Sequence, residues 1–318
     1  MIKEYDIERS PLYRLRSKRK LAILLKLPEK YFNTIHIYKY SEFYENKSDG
    51  EKRKINNPEN KLKVIQRRLL KLLNRISKPD WLISGKKKKS YVDNAKAHML
   101  QQNVCTMDIE KFYDSTKEFY VYNFFKYGMK MSTDVAKILT SLVTYNGRIP
   151  TGTPTSQIIA FLTYNDIFMK IHKLCEDNEI VFTLYVDDIT LSSNTLINRD
   201  IKQKINSLLN KKGLNIKNSK TKFYSKKSKK SVTGTIINGN SIMLENRKRK
   251  EIIELYKECV NPATYSVEKL VKLKGKMSDA RQVEKDIFPT ICNYLNKHSE
   301  EIKKYNSTFC KKQSVGYF

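Results

Sequence analysis

Apolar positions along the 318 residues follow two rhythms, one helical and one of period two. Within residues 1–33 the spacing is helical, and Leu21, Ile23, Leu24, Leu25 and Leu27 predict an apolar stripe. From Ile35 to Tyr44 alternating aromatics predict a strand; Asn46-Lys47-Ser48-Asp49-Gly50 supplies turn chemistry and Glu51 to Ile55 returns, which makes a β-hairpin. After Pro58, residues Leu62, Ile65, Leu69, Leu70, Leu72 and Leu73 predict a helix over 60–77, opposite a basic face with Arg67, Arg68 and Lys71. Val104 to Glu110 alternates: Cys105, Met107 and Ile109 face a core while Thr106, Asp108 and Glu110 face the other way. Helical patterns follow over 111–125 and 133–145, and the turn Arg148 to Ser156 feeds a long buried helix marked by Ile158, Ile159, Leu162, Phe168 and Ile171. Phe182 to Leu184 and Ile189 to Ser192 read as two short strands, and from about 241 the pattern turns helical through Ile252, Val267 and Ile287.

Chemistry enters at the tip of the second hairpin. Tyr185-Val186-Asp187-Asp188 places two adjacent carboxylates between apolar strands, where like charges raise each other's energy and a hard divalent cation removes the cost. Asp108 supplies a third carboxylate at the end of its own strand, a usual position for site residues. Carboxylates from two distant segments around a metal pair suit in-line displacement at phosphorus: one ion activates the attacking hydroxyl, and its neighbour about 3.5–4 Å away stabilises the leaving oxygen. The carbonyl of Ile109 is a further candidate ligand; Glu110 and Asp114 are nearby acids left outside the set.

Composition sharpens the picture at one point. The net charge is +29, from 62 Lys and Arg against 33 Asp and Glu, and the cations concentrate in Arg14 to Lys20, Lys86 to Lys89 and Lys217 to Lys230, the last interleaved with Phe223 and Tyr224. Such runs track a phosphate backbone while aromatics stack on bases, so a nucleic acid is the expected partner and an acidic membrane surface is not. A bias of the coding sequence towards A and T would also enrich Lys, Asn, Ile and Tyr; clustering argues against that reading alone. The 5 cysteines are scattered and the 4 histidines dispersed, which predicts reduced core thiols in a cytoplasmic protein and no His-based metal site. No apolar run approaches a membrane span, and the N-terminus lacks the apolar stretch of a signal peptide.

With both acidic segments, the Pro150-Thr151-Gly152 loop between them and the basic segment after them in this order, the chain resembles a reverse transcriptase. Asp108 matches the family's first palm motif, Pro150-Thr151-Gly152 with Thr155-Ser156 the second, Tyr185 to Asp188 the third, and Gly213-Leu214-Asn215-Ile216 leading to Ser219-Lys220-Thr221-Lys222 the fourth. Within the family it looks most like a bacterial retron enzyme: Asn94-Ala95-Lys96-Ala97-His98 matches an Asn-Ala-x-x-His segment and Val232-Thr233-Gly234 a Val-Thr-Gly triplet. Thr151, Gln157 and Leu184 depart from the residues that many relatives carry there.

The resemblance implies an α+β right-hand polymerase fold: an N-terminal helical segment over 1–33, fingers over 34–100, an antiparallel-sheet palm over 101–240 and a helical thumb over 241–318. It implies copying of a structured non-coding RNA into single-stranded DNA, primed from an RNA 2′-hydroxyl, with dNTPs and two Mg²⁺ ions for which Mn²⁺ substitutes, within an anti-phage defence system whose effector protein is a further partner. By the same matching Asp108, Ile109, Asp187 and Asp188 hold metal, and Lys220 protonates the leaving pyrophosphate. Arg53, Tyr113, Thr151 and Gly152 contact the nucleotide, Tyr113 as the gate against a ribose 2′-hydroxyl. Asn94, His98, Val232, Thr233 and Gly234 contact RNA, and the basic stretch of the C-terminal helices, with Arg247 and Lys250, is by its charge a candidate clamp on a duplex. Two other classes stay open at this level: an RNA-binding scaffold or antitoxin-like module with secondary catalysis, and another template-dependent polymerase, group II intron-like or RNA-directed RNA polymerase.

Overall fold

The computed structural model describes residues 4–37, 39–46 and 50–314. In chain order the elements are α1 (Lys18–Leu25), β1 (Tyr40–Asn46), β2 (Lys52–Pro58), α2 (Asn60–Leu73), α3 (Tyr91–Lys96), β3 (Asn103–Asp108), α4 (Phe112–Ser115), α5 (Glu118–Asn123), α6 (Thr133–Val143), α7 (Ser156–Thr163) and α8 (Asn165–Glu176). They continue with β4 (Val181–Tyr185), β5 (Asp188–Ser193), α9 (Arg199–Asn210), β6 (Lys222–Tyr224), β7 (Lys230–Val232), β8 (Thr235–Asn238), β9 (Ser241–Leu244), α10 (Asn246–Val260), α11 (Val267–Val283), α12 (Pro289–Lys297) and α13 (Ser299–Ser314). The chain divides into two compact units, one of residues 1–89 with 102–223, the other of residues 90–101 with 224–318.

The first unit carries a sheet in the order β4-β5-β3-β6, in which β5 pairs antiparallel with both β4 and β3. Cys105, Met107 and Ile109 are buried as the alternation predicts, and Phe182, Leu184, Ile189 and Leu191 join them in one core. α2 buries Leu62, Ile65, Leu69, Leu72 and Leu73 but stops at Leu73, short of the predicted 77. Gln66 sits among those apolar residues fully buried, its Nε2 donating to the Leu142 carbonyl at 2.9 Å.

Several expected elements have different bounds. The helix of the first segment is only α1, whose Leu21, Ala22 and Leu25 are buried while Ile23 points outward; left-handed Lys26 (φ 59°) ends it. The strand expected from Ile35 starts at Tyr40, because Glu29–Ile37 form a 3₁₀ helix. It still makes a hairpin, β1 with β2, and the predicted turn at residues 47–49 lies outside the described residues. The helix expected over 111–125 is broken at Thr116, where ψ is 89° and the hydroxyl donates back to the Phe112 carbonyl at 2.7 Å, a local bond that competes with helix continuation. The long helix after Ser156 is broken at Tyr164 (φ −112°) into α7 and α8.

In the second unit α10, α11 and α12 match the predicted helical stretches, and Leu255, Cys259, Leu270, Leu273, Met277 and Ile291 lie in a separate core. The antiparallel sheet β7-β8-β9 was not predicted. α3 belongs to this unit although the chain reaches it before β3.

Candidate active site

Two strand ends meet at the site. β3 finishes at Asp108 and β5 begins at Asp188, and the register sets these two residues directly opposite each other. Opposed positions hold their Cβ atoms about 4.5–5.5 Å apart, so the carboxylates are neighbours by construction. Asp187 follows at the hairpin tip, and its carbonyl accepts from the Ile109 N–H at 2.9 Å, which stitches the tip to the strand carrying Asp108. On the other side of β3, Ile109 pairs with Ile216, Glu110 N–H donates to the Asn215 carbonyl at 2.8 Å and Lys217 N–H to the Asp108 carbonyl at 2.8 Å. That pairing brings Lys220, closing a 3₁₀ turn, to 3.4 Å from Asp108 Oδ2.

The electrostatics are those of crowded acids. Burial, then Asp187 and Asp108, push the Asp188 carboxyl up to about 7, against the pull of Lys220. Burial and Asp108 also raise Asp187, while Arg53 and Lys220 oppose the shift. Tyr113 is half-buried, and burial followed by the Asp187 charge raises its hydroxyl, with Arg53 opposing. Arg53 on β2, Tyr113 on α4 and Lys220 thus all act on the carboxylates through space. Among the described residues no set of three or more His, Cys, Asp or Glu side chains is closed around one point. The donor set nevertheless fits a hard divalent cation: oxygen ligands whose mutual repulsion Lys220 and Arg53 only partly offset.

The hairpin tip is strained and held. Val186 has φ 61°, a left-handed conformation that a β-branched residue takes at a cost of about 1–3 kcal/mol. Its N–H donates to Ser84 Oγ at 2.9 Å. Ser84 ends a buried run, Trp81 to Ser84, that lies along β4: Leu184 N–H donates to the Trp81 carbonyl at 2.9 Å and Ile83 N–H to the Leu184 carbonyl at 3.0 Å. Sequence reasoning missed this segment; the apolar Trp81-Leu82-Ile83 between Pro79 and Gly85 was its signal, overshadowed by the lysine run beyond.

Gly152 is fixed by two independent constraints. Its φ is 104°, and a Cβ there would stand 2.7 Å from Ile55 Cγ2. The Thr151 carbonyl beside it accepts from Asn56 N–H at 2.7 Å, so the loop is seated on β2, the strand that carries Arg53. Thr155 and Ser156 are buried, and Ser156 Oγ is spent on the Pro150 carbonyl at 2.6 Å, so it shapes the loop instead of facing a ligand.

The expected RNA contacts lie in the second unit, where two of the sequence segments meet. Asn94 Nδ2 donates to Thr233 Oγ1 at 3.4 Å, and Thr233 Oγ1 to the Tyr91 carbonyl at 3.0 Å. Asn94, His98 and Val232 are fully buried, and burial pushes His98 down to about 3, which keeps it neutral. Thr233 (φ 44°) and Gly234 (φ 81°) form a tight half-buried turn, while Arg247 and Lys250 are exposed on α10.

Residues 45–237 match the family described as reverse transcriptase (RNA-dependent DNA polymerase). The chain belongs to the reverse transcriptase family. This reverse transcriptase is 30% identical over 235 residues to the retron Se72 reverse transcriptase of Salmonella heidelberg (strain 579083-10), covering 71% of this chain and 62% of that one. To the retron Ec86 reverse transcriptase of Escherichia coli it is 26% identical over 220 residues, 68% of each chain. The chain therefore spans less than two thirds of the Se72 relative's length. A foamy viral protease-reverse transcriptase solved with double-stranded DNA aligns at TM-score 0.46 and 14% identity, over 76% of this chain and 36% of that one. The fold class is the right-hand polymerase fold of that family, and the sheet β4-β5-β3-β6 carries Asp108 and Asp188 at its strand ends. No described helix is long and apolar enough to cross a membrane.

Proposed function

We propose that this reverse transcriptase is the RNA-directed DNA polymerase of a retron, copying a structured non-coding RNA into single-stranded DNA from dNTPs, with synthesis primed from a 2′-hydroxyl of that RNA. The observation that carries the chemistry is the register of β3 against β5, which sets Asp108 opposite Asp188 beside Asp187. These carboxylates and the Ile109 carbonyl are the groups to hold two Mg²⁺ ions, Mn²⁺ substituting, which when bound supply Lewis acidity to the attacking hydroxyl and the leaving oxygen.

The chain's own residues do the rest. Arg53 offers a planar fork to triphosphate oxygens, and the Thr151-Gly152 loop seated on β2 fixes that strand's position. In this reading Tyr113 sets its ring against a ribose 2′-hydroxyl, and Lys220 gives a proton to departing pyrophosphate. We assign fingers to 34–100, palm to 101–240 and thumb to 241–318, with Arg247 and Lys250 on the RNA side of the thumb. We extend the reading to a place in an anti-phage system with an effector protein, and the free thiols at Cys105, Cys175, Cys259 and Cys292 suit the reducing cytoplasm.

Replacing Asp187 and Asp188 with Asn should abolish dNTP incorporation while leaving RNA affinity within about threefold, since neither adds an RNA contact. Sustained synthesis by that variant would reject the assignment. Tyr113→Val should raise ribonucleotide incorporation relative to deoxyribonucleotide by at least about tenfold, on the order of one lost steric clash; an unchanged ratio would remove Tyr113 from the gate.

A further inference from the structure

A basic groove on the first unit shares no residue with the carboxylate site. One wall is the segment Tyr13 to Arg16, the other Lys126 to Thr133, and between them lies an open space of about 500 Å³ lined by Arg16, Lys126, Tyr127, Lys130 and the start of α6. The walls are locked together through the backbone. Arg14 N–H donates to the Met129 carbonyl at 2.8 Å, Ser132 N–H to the Leu15 carbonyl at 3.1 Å, and Ser132 Oγ to the Arg16 carbonyl at 3.2 Å. Below, Leu12, Leu15, Phe125, Met129 and Met131 are buried and anchor both walls in the core. Arg14 and Lys130 each adopt a left-handed conformation (φ 52°), which turns the chain outward at these cations.

The groove therefore collects like charge on a rigid frame. Arg14 lies over the Tyr13 ring at 5.5 Å and Lys130 over the same ring at 5.8 Å, so one aromatic ring gathers two cations. Among the described residues Arg14, Arg16, Lys126 and Lys130 have no ion-pair partner; the acid nearest in sequence, Asp134, is engaged by Lys18 at 3.6 Å. Lys126 Nζ is held in place by Thr133 Oγ1 at 3.0 Å. Tyr127 stands 68% exposed at the rim, its aromatic ring open to solvent.

From this combination we infer that the groove is a docking surface for the phosphate backbone of the partner RNA, with Tyr127 stacking on an unpaired base next to the gripped strand. Fixed, unpaired cations are most favourable when a polyanion releases its counterions to them, and an exposed ring among them adds sequence-tolerant stacking. An acidic protein surface would use the cations but leave Tyr127 without a role. The surface would hold structured RNA while its end is copied elsewhere; that benefit rests on the proposed polymerase function, whereas the binding itself does not.

The test uses the full chain, a stem-loop RNA with single-stranded flanks, and a short pre-annealed RNA template with DNA primer. The double charge reversal Arg16→Glu with Lys130→Glu should weaken stem-loop binding at least roughly tenfold and lower the slope of log affinity against log salt by roughly 0.7–0.9 for each contact removed. Extension of the short primer should stay unchanged, and Arg16→Lys with Lys130→Arg should bind like the parent. Tyr127→Ala should weaken binding of the flanked stem-loop but not of blunt duplex RNA. Unchanged affinity and salt slope in the charge reversal would overturn the inference, as would an equal loss of short-primer extension, which would trace the effect to folding or to the cleft. A parent protein that binds the stem-loop through this groove yet extends no primer would reject the polymerase reading and leave the groove standing.

Discussion

One of the residues that hold the acidic hairpin tip carries no charge. Ser84 accepts the amide of Val186, whose left-handed φ of 61° needs an outside partner to be held. Ser84→Ala should remove a hydrogen bond worth about 1–3 kcal/mol where the donor is left unpaired, lowering kcat about tenfold or more with little change in dNTP KM. Val186→Gly relieves the backbone cost at the tip, so the double variant should recover part of the loss. Equal activity in Ser84→Ala, measured by single-nucleotide extension, would show that the turn holds itself. Nothing in the sequence marked this serine, because an isolated polar residue after a short apolar run has no periodicity to betray it.

Among the elements, legibility followed the strength of the periodic signal. The carboxylate strands were readable because Cys105, Met107 and Ile109 alternate with Thr106 and Asp108, and β4 and β5 bracket the acids with β-branched and apolar residues. The breaks at Thr116 and Tyr164 were not, since the helical spacing of apolar residues continues across both and only a side-chain bond or a local dihedral interrupts it. The small sheet β7-β8-β9 was also missed: its strands are three or four residues long, and the first opens on the last residue of a lysine-rich run that reads as solvated. The Thr151-Gly152 loop was recognised as a turn, but its seat on β2 is a tertiary fact. Gly152→Ala should cost about 1–3 kcal/mol, from the φ of 104° and the clash with Ile55, and raise dNTP KM as β2 shifts. Adding Ile55→Ala should return the steric part only, a coupling that a double-mutant cycle in thermal unfolding and KM would reveal.

For the molecule as a whole, the crowded acids tie stability to pH. Asp188 titrates near 7 in the folded chain against an ordinary 3.8, so between those values the folded state holds a proton that the unfolded state has lost. Stability contributed by this group accordingly falls as pH rises from about 4 to about 7 and stays low above. Asp188→Asn should flatten that fall and raise the melting temperature at pH 8 relative to the parent. Mg²⁺ should stabilise the parent more at pH 8 than at pH 5, because a cation and a proton compete for the same oxygens; equal shifts at both pH values in thermal melts would contradict this.

The excursion of residues 90–101 out of the first unit sets a timetable for synthesis. Asn94 leaves the ribosome 139 positions ahead of the Thr233 hydroxyl it donates to, an interval of roughly 7 to 28 seconds at usual elongation rates. Throughout it, an open loop waits in which Val92, Asn94, Ala95 and His98 are destined for burial while Lys96, Ala97 and Leu100 stay at the surface. Nascent chains that stall before the Val232 strand never acquire its lid, and that loop is where a chaperone or a protease would find them first.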